Sequence, residues 1–263
     1  MNPMPDHGED SYRGHGLLQD CATIVTGGDS GIGRAVALAF AREGADVVVS
    51  YLKEDGDAAE TAGLIKDAGR TAALVPGDLR NEEHCEKVIQ TCLEKFGKID
   101  VLVNNAAFQS THSEIEELTN DDFDRAFKTN VYASFFLSRA ALHHMKPGAS
   151  IINTTSIQGF DPSGHLLHYA ATKGAIANMT KTLAEMAIER GVRVNGVAPG
   201  PVWTPLIPTT MPKEKVKEFG RNTLFKRPAQ PAELAPVYVF LASQLASYVA
   251  GEIYGVTGGR MPL

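Results

Sequence analysis

Tyr169 and Lys173 are the pair of side chains in this sequence best suited to acid–base chemistry. They lie four residues apart in HYAATKGAIANMTKTLAEM, so on a helix they project from the same face. A free phenol has a pKa of about 10 and is a poor base at neutral pH, but a nearby lysine cation favours the phenolate. At about 4 Å and an effective dielectric constant near 20 the interaction is roughly 4 kcal/mol. This is enough to bring the pKa of Tyr169 toward the range useful for proton transfer.

A glycine-rich turn, TGGDSGIG at residues 26–33, follows a short apolar run and opens a segment with helical periodicity. Glycines at positions 27, 31 and 33 permit a tight turn and a close approach of the backbone to a pyrophosphate, which the amides at a helix N-terminus then face. The spacing is TGxxxGxG and differs from the general GxGxxG fingerprint. A tight strand–helix connection would also use glycines, but the position of this turn in the first βα unit favours a nucleotide site.

The elements that must position these residues follow from the hydrophobic pattern. Short runs rich in Val and Ile, apolar on both faces, alternate with stretches of helical periodicity, as in a buried parallel sheet. The predicted strands are 21–26, 46–50, 71–76, 99–105, 150–156, 192–199 and 252–259, and the predicted helices are 31–43, 55–69, 82–97, about 120–145 and 168–190. This alternation predicts an α/β protein with a doubly wound parallel sheet of about seven strands.

Composition excludes several classes of protein. The 263 residues include 25 Lys+Arg and 31 Asp+Glu, so the formal net charge is −6, and 43% of the residues are hydrophobic. These values do not fit a largely disordered chain or a protein that coats nucleic acid. No apolar run approaches the roughly 18 residues of a membrane span, and the N-terminal stretch has no apolar signal region. Three cysteines, Cys21, Cys85 and Cys92, suit a reducing compartment, so we expect a cytoplasmic protein. From the net charge and the absence of a long apolar run, we expect no nucleic-acid or membrane partner.

Two segments depart from the regular alternation. Residues 1–16 form a polar arm without periodicity, flexible unless a neighbouring surface holds it, and residues 17–263 are predicted to form one catalytic domain. Residues 199–230, called the lid below, are rich in proline and contain a charged helix candidate at 212–220. A long insertion after the carboxyl end of a strand is a typical place for an active-site cover, although a plain surface loop is the alternative.

Several motifs occur together in the order and spacing of a known family. They are TGGDSGIG, GDL (77–79), NNAA (104–107), Asn130, Ser156, Y-x-x-x-K (169–173) and PG (199–200). Over about residues 17–260 the chain resembles the short-chain dehydrogenase/reductase family. GGDSGIGRAVA, PGPVWTPL and PAELAPVYVFLAS resemble its glucose/ribitol-dehydrogenase-like branch with an N-terminal extension.

The resemblance implies a single-domain Rossmann-like fold and an NAD(P)-dependent oxidoreductase that interconverts an alcohol and a carbonyl by hydride transfer. The substrate would be a sugar, a polyol or a small aldehyde or ketone. In the implied tetrad, Tyr169 exchanges the hydroxyl proton and Lys173 favours the phenolate. Ser156 orients the reacting oxygen, and Asn130 holds a water that links the lysine to solvent.

The same resemblance implies a set of cofactor contacts. They are Gly27, Asp29, Ser30, Gly31, Ile32, Gly33, Tyr51, Leu52, Asp78, Leu79, Asn105, Ala106, Lys173, Pro199, Gly200, Val202 and Thr204. Ala107 replaces the glycine that is usual in the family's NNAG motif. The extra methyl group limits how closely another group can approach the backbone at this position.

The choice between the two nicotinamide cofactors depends on charge near the adenosine ribose. Tyr51 stands where NAD-selective relatives usually offer Asp, and neither Leu52 nor Ser30 supplies the Arg frequent in NADP-selective relatives. Asp29 would repel a 2′-phosphate, whereas Lys53 would attract it. NAD(H) is therefore slightly favoured over NADP(H).

Two alternative functions remain open from the sequence. A 3-oxoacyl carrier-protein reductase-like activity would need a basic pocket mouth, for which Lys213, Lys215, Lys217, Arg221, Lys226 and Arg227 are candidates. A non-catalytic dinucleotide-binding sensor is the other. No metal is expected, because His165 and His168 have no third ligand nearby. The family resemblance implies a homotetramer joined through two long helices and the C-terminal strand, and the helices at 132–145 and 174–190 are apolar enough to fit that role.

Overall fold

The computed structural model describes residues 1–211 and 213–260. In this structure seven parallel strands form one sheet in the order β3-β2-β1-β4-β5-β6-β7. The strands are β1 (Ala22–Thr26), β2 (Asp46–Tyr51), β3 (Ala72–Pro76), β4 (Val101–Asn104), β5 (Ser150–Thr154), β6 (Arg193–Pro199) and β7 (Ile253–Val256). The predicted doubly wound sheet is confirmed.

Helices cover both faces of the sheet. They are α1 (Gly31–Arg42), α2 (Asp55–Asp67), α3 (Glu82–Phe96), α4 (Asn120–Phe127), α5 (Ala133–Leu142), α6 (Leu167–Ile188), α7 (Leu206–Thr210), α8 (Lys213–Lys217) and α9 (Ala235–Ala242). Apolar residues of α1, α2 and α9 pack on one face, and those of α3, α5 and α6 pack on the other. Cys85 and Cys92 are free thiols buried in the second layer, as expected for small core residues.

One predicted helix, 120–145, is interrupted. A π-helical turn at Lys128–Tyr132 separates α4 from α5. The wider turn carries Asn130, whose side chain bonds both the main-chain N–H and the carbonyl oxygen of Phe108. Such turns are frequent at functional sites, and apolar periodicity does not reveal them. In the lid, the helix expected at 212–220 is limited to α8, and Pro212 lies outside the described residues.

The N-terminal arm lies against the end of α1. The Arg42 guanidinium donates to the carbonyl oxygens of Gly8 and Tyr12, each at 2.6 Å. The fully buried Glu43 carboxylate accepts the Tyr12 hydroxyl at 2.5 Å and the His15 amide at 2.8 Å. The arm therefore has a defined surface to hold it, while its separation from a catalytic domain at residue 17 stays a prediction.

The parallel sheet brings its strand ends to one edge. β1 ends at Thr26, β4 at Asn104, β5 at Thr154 and β6 at Pro199. The strand order reverses between β1 and β4, where a crevice opens in doubly wound sheets. Within the described part of the chain, no helix combines the length and the apolar character of a membrane span.

Candidate active site

A cavity of about 920 Å³ lies at this edge of the sheet. Nearly all the residues that the sequence singled out line it: Gly27, Asp29, Ser30, Gly31, Ile32, Tyr51, Leu52, Asp78, Leu79, Asn105, Ala106, Ser156, Tyr169, Lys173, Pro199, Gly200, Val202 and Thr204. Gly33 and Asn130 lie outside its lining. The glycine turn and the Tyr–Lys pair thus share one cavity, although Gly33 and Tyr169 are 136 positions apart in the sequence.

The glycine turn needs its glycines for conformation and for space. Gly27 and Gly31 have φ values of +61° and +50°, in the left-handed region that favours glycine. A Cβ on Gly33 would lie 1.9 Å from the Gly27 carbonyl oxygen, so Gly33 permits the turn to close although it does not line the cavity. The turn leads into α1, whose first amides have no intrahelical partner. This cradle at a helix N-terminus fits the pyrophosphate of a dinucleotide.

Thr26 locks this turn to the loop after β4. Its hydroxyl oxygen accepts the Asn105 amide at 2.9 Å and the Ala106 amide at 3.0 Å, and its hydroxyl donates to the Val103 carbonyl at 3.2 Å. The Asn105 side chain returns a bond to the Thr26 carbonyl at 3.0 Å. Sequence reasoning missed Thr26, because a buried threonine at a strand end carries no distinctive signal.

Tyr169 and Lys173 are adjacent and buried on the first turns of α6. The Lys173 ammonium lies 5.5 Å from the centre of the Tyr169 ring and donates to the Thr154 carbonyl at 2.7 Å. Burial lowers the pKa of Lys173 to about 7. Burial also raises the pKa of Tyr169 to about 12, against a smaller lowering effect of a hydrogen bond with Ser156.

This pKa of Tyr169 differs from the sequence expectation. The spacing predicts that the lysine cation brings the pKa of this phenol down, but desolvation by burial raises it, and the hydrogen bond with Ser156 is the effect that opposes the rise. At neutral pH the phenol of Tyr169 is therefore protonated. The hydroxyl of Ser156 faces it at the start of a short helical turn, where the Ser156 Oγ also accepts the Gln158 amide at 3.2 Å.

Asn130 lies behind the cavity and is satisfied by protein partners. Its Oδ1 accepts the Phe108 amide at 2.7 Å, and its Nδ2 donates to the Phe108 carbonyl and to Thr172 Oγ1, both at 3.0 Å. The side chain joins the π-helical turn to the loop after β4 and to α6. The water that the family resemblance assigns to Asn130 stays a prediction.

The opposite end of the cavity is acidic. Asp29, Glu54 and Asp57 line it beside Tyr51, and burial raises the pKa of Asp29. The Tyr51 hydroxyl donates to an Asp55 carboxylate oxygen at 2.7 Å. Arg34 pairs with Glu60 at 3.1 Å and with Asp57 at 3.7 Å, so the charge of Asp57 is partly offset. Asp78 pairs with Arg80 at 2.6 Å, which lowers the pKa of Asp78.

Several lining residues were not anticipated from the sequence. They include Gln109, Arg125, Gln158, Ser163, Asn222 and Arg260. Gln109 donates to Thr210 Oγ1 in the lid at 2.7 Å, and Arg260 pairs with Asp161 at 3.1 Å. These residues come from segments far apart in sequence, and Arg125 lies in α4, so only the folded chain brings them to the cavity.

Comparisons with known proteins agree with this geometry. Residues 27–260 match the family model described as Enoyl-(Acyl carrier protein) reductase. The chain is 47% identical to the glucose and ribitol dehydrogenase of Daucus carota, over 99% of this chain and 92% of that protein. It is 46% identical to the NADPH-dependent aldehyde reductase 1, chloroplastic, of Arabidopsis thaliana, over 99% of this chain and 93% of that protein.

A solved structure shows the same fold. The short-chain dehydrogenase from Burkholderia cenocepacia J2315 in complex with NADP has a TM-score of 0.86 and 30% sequence identity, covering 92% of this chain and 98% of that one. The similarity therefore extends to nearly the whole of both chains. Sequence motifs, sheet topology and relatives together establish that this chain belongs to the short-chain dehydrogenase/reductase family and is an oxidoreductase with an NAD(P)-binding Rossmann fold.

Proposed function

We propose that this enzyme interconverts an alcohol and a carbonyl group by hydride transfer, with Ser156, Tyr169, Lys173 and Asn130 as its tetrad. The observation that carries the proposal is the buried Tyr169–Lys173 pair in the same cavity as the glycine turn. An isolated tyrosine or lysine would be ordinary, but a buried lysine beside a buried phenol is costly and marks a functional site.

A nicotinamide dinucleotide held by the glycine turn at Gly31 and by the Pro199–Thr204 loop would supply or accept the hydride. Tyr169 transfers a proton to the carbonyl oxygen in reduction and removes it from the alcohol in oxidation, while Ser156 donates a hydrogen bond to the same oxygen. The protonated phenol found in the protein alone is the form that reduction needs. Oxidation needs the phenolate, which a charged Lys173 and a positively charged oxidised nicotinamide both favour.

For the substrate we propose a sugar, a polyol or a small aldehyde. Gln109, Gln158 and Ser163 offer amide and hydroxyl groups in the lining of the cavity that also holds Tyr169, and Leu206 and Ile207 of the lid add an apolar surface. Such a mixture suits a short polyhydroxylated chain. The printed names of the carrot and Arabidopsis relatives are in accord with this class.

For the cofactor we propose a small preference for NAD(H), below tenfold. Asp29, Glu54 and Asp57 line the end of the cavity beside Tyr51, so a 2′-phosphate would meet carboxylates there. Lys53 does not line the cavity. The NADPH-dependent Arabidopsis relative supports the opposite preference, and a preference for NADP(H) above tenfold would overturn this proposal.

The carrier-protein alternative is weaker on the described residues. Arg221 pairs with Glu218 at 2.9 Å and Arg227 pairs with Glu233 at 2.7 Å, so two of the six basic candidates are already neutralised. Lys215 lines the cavity, whereas the side chain of Lys213 lies outside the described residues.

A homotetramer is proposed from exposed apolar side chains on the helices expected at the interfaces. Tyr132 is exposed at the end of the π-helical turn, Phe135 at the start of α5, and Met186 and Ile188 at the end of α6. Light scattering at micromolar concentration should give four times the mass of the chain, and a monomeric mass would refute this assembly.

The proposed reaction is tested by a substrate panel. D-glucose, ribitol and short aldehydes are offered with each of the two cofactors, and absorbance is followed at the reduced-nicotinamide band. We expect turnover that Tyr169→Phe lowers by a factor of roughly 10² to 10⁴, with cofactor affinity nearly unchanged because the ring still fills its site. Tight dinucleotide binding without turnover of any substrate would favour the sensor, and near-normal activity of Tyr169→Phe would refute the role of the phenol.

A further inference from the structure

The two ends of the lid pair with each other beside the cavity. The Trp203 amide donates to the Ala229 carbonyl at 2.8 Å, and the Ala229 amide donates to the Pro201 carbonyl at 2.9 Å. These bonds form an isolated parallel β-bridge. Residues 201–204 and 229–232 are called the base of the lid below, because the rest of the lid extends from this pairing.

The base of the lid also forms part of the cavity. Val202 and Thr204 are buried and line it. Thr204 packs closely on the first residue of α1, since a Cβ on Gly31 would lie 3.1 Å from the Thr204 Cβ. Trp203 stands between these two lining residues and is partly buried. A shift of the base would therefore move two cavity residues relative to the glycine turn.

The N-terminal arm lies across both sides of this base. The Pro3 carbonyl oxygen accepts the Trp203 indole N–H at 2.9 Å. The Asp6 amide donates to Gln230 Oε1 at 3.0 Å, and the Asp6 carbonyl oxygen accepts the Ala232 amide at 3.0 Å. A short stretch of the arm thus bonds the chain on each side of the β-bridge.

The arm is itself fastened to the far end of α1. The guanidinium of Arg42, the last residue of that helix, donates to the carbonyl oxygens of Gly8, Glu9 and Tyr12. A Cβ on Gly14 would lie 1.9 Å from the Arg42 carbonyl oxygen, so the arm runs directly against the helix end. Because α1 has 12 residues and spans about 18 Å, it is linked to the base of the lid at two well-separated points.

We infer that residues 3–8 of the arm are positioning residues, which hold the base of the lid, and with it Val202 and Thr204, in the geometry that binds the dinucleotide. Among the described residues that line the cavity, none belongs to the arm, so the arm acts through the base. Loss of these hydrogen bonds corresponds to a roughly tenfold change in the population of the ordered base. The inference rests on the proposed placement of the dinucleotide against Gly31 and the loop 199–204.

Arg42→Met in the full chain tests the inference. The substitution keeps an unbranched side chain but removes the guanidinium that holds the arm. Trp203 is the one tryptophan of the sequence, so its fluorescence reports on the contact with the arm. We expect the emission to shift to longer wavelength, because the indole loses the Pro3 carbonyl and is more exposed to water. Binding of NADH and of NADPH, measured by titration calorimetry, should weaken about tenfold.

Arg70→Met is the matched control for this substitution. Arg70 is also partly buried, and its guanidinium bonds the carboxylates of Asp20 and Asp46 near the amino end of β2, whereas the cavity lies at the carboxyl ends of the strands. This variant should lose stability without any change in Trp203 emission or in affinity for either dinucleotide. Equal loss of affinity in both variants would show that binding follows overall stability, and it would overturn the inference.

Trp203→Phe removes the indole donor alone, and it decides if Arg42→Met fails to fold. Hydrogen–deuterium exchange is followed at the amides of residues 203 and 229, which bond across the base. We expect both amides to exchange about threefold faster, while the amides of β1 keep their protection because the sheet does not depend on this contact. Unchanged exchange at both amides, or an equal increase in β1, would overturn the inference.

The binding measurements distinguish this inference from the proposed placement of the dinucleotide. Absence of binding in the native enzyme would refute that placement, and with it the role of the arm in binding. Tight binding in the native enzyme that persists in Arg42→Met, although the Trp203 emission shifts, would refute the inference alone. The arm would then contact the base of the lid without positioning the cavity.

Discussion

The floor of the cavity, which the strand ends form, and the lid are held in place by different kinds of interaction. The floor, which comprises residues 26–33, 104–106, 154–156 and 169–173, is held by main-chain bonds and by buried side chains such as Thr26 and Lys173. In the lid, Gln109 and Thr111 of the segment Phe108–His112 hold α7, and the Leu224 amide donates to the Gly258 carbonyl at 2.8 Å. The side chains of Leu224 and Phe225 are 76% and 70% exposed. The floor holds the reacting groups in fixed positions. The lid is held by fewer contacts, so the shape of the substrate side of the cavity can differ between related enzymes.

Lys173→Met should give the largest change, and it acts on the floor. Without the cation beside the Tyr169 phenol, kcat should fall roughly a thousandfold. The same variant should be more stable than the native enzyme at pH 7 by about 2 to 4 kcal/mol, because a buried lysine disfavours its own charged form. Steady-state kinetics and denaturant unfolding measure the two effects.

The pH dependence of this stability difference has a definite sign. Burial lowers the pKa of Lys173 to about 7 from its unfolded value near 10.5, so the unfolded chain binds more protons between these values. The native enzyme should therefore gain stability relative to Lys173→Met as the pH rises from 7 toward 10.5. The stability advantage of Lys173→Met should therefore shrink over this range. An advantage that stays constant or grows with pH would contradict the burial of a charged lysine as its cause.

Gly33→Ala should be the next largest change, and it tests whether the floor tolerates any added volume. The new Cβ would lie 1.9 Å from the Gly27 carbonyl oxygen and 2.8 Å from the Asn105 side chain, so the turn must shift. If the shift of the glycine turn costs about 3 kcal/mol of binding free energy, the affinity for the cofactor should fall roughly a hundredfold. Calorimetric titration with either dinucleotide measures it.

Gly63→Ala is the matched control for this substitution. Gly63 lies inside α2, its Cβ would meet nothing within 4 Å, and alanine favours the helix by about 1 kcal/mol. It should leave cofactor binding unchanged and raise the stability slightly. Equal loss of binding in both variants would show that the turn has no special demand for glycine at position 33.

The sequence predicts the floor far better than the lid, for physical reasons. Buried parallel strands must be apolar on both faces, and a turn with φ of +50° at Gly31 must use glycine, so both leave a local signal. The π-helical turn at Lys128–Tyr132 leaves none, since its residues have ordinary helical periodicity. The Ser110 hydroxyl bonds Nε2 of His168, which lies 58 positions away in the sequence, and no local pattern predicts such a pairing.

The sequence also does not predict the pKa values of the catalytic pair in the floor. The spacing of Tyr169 and Lys173 predicts their proximity, which the structure confirms with a separation of 5.5 Å. It does not predict how deeply they are buried, and burial raises the pKa of Tyr169 to about 12 and lowers the pKa of Lys173 to about 7. The residue types give the chemistry, while the surrounding fold sets the pKa values.

Gln109→Leu should produce a smaller change, confined to the lid. The substitution preserves approximate volume but removes the bond to Thr210 Oγ1, one of two side-chain bonds from this segment to α7. We expect KM for the alcohol or carbonyl substrate to rise about fivefold, with kcat and cofactor affinity nearly unchanged. Thr182→Val is the control, because the Thr182 hydroxyl donates to the Asn178 and Met179 carbonyls of its own helix α6 and Thr182 does not line the cavity. A larger effect on kcat than on KM would place Gln109 in the chemistry of the floor.

Asp29→Asn should give the smallest change, at the adenosine end of the floor. Asp29 lines the cavity beside Tyr51, and burial already raises the pKa of its carboxyl, so little of its charge is screened by solvent. Removing one negative charge near a 2′-phosphate should raise kcat/KM for NADP(H) relative to NAD(H) about threefold, since Glu54 and Asp57 remain. Lys53→Ala, at an exposed residue that does not line the cavity, should shift this ratio less. If Lys53→Ala instead lowers use of NADP(H) strongly while Asp29→Asn has no effect, cofactor choice depends on the exposed rim and not on the buried floor.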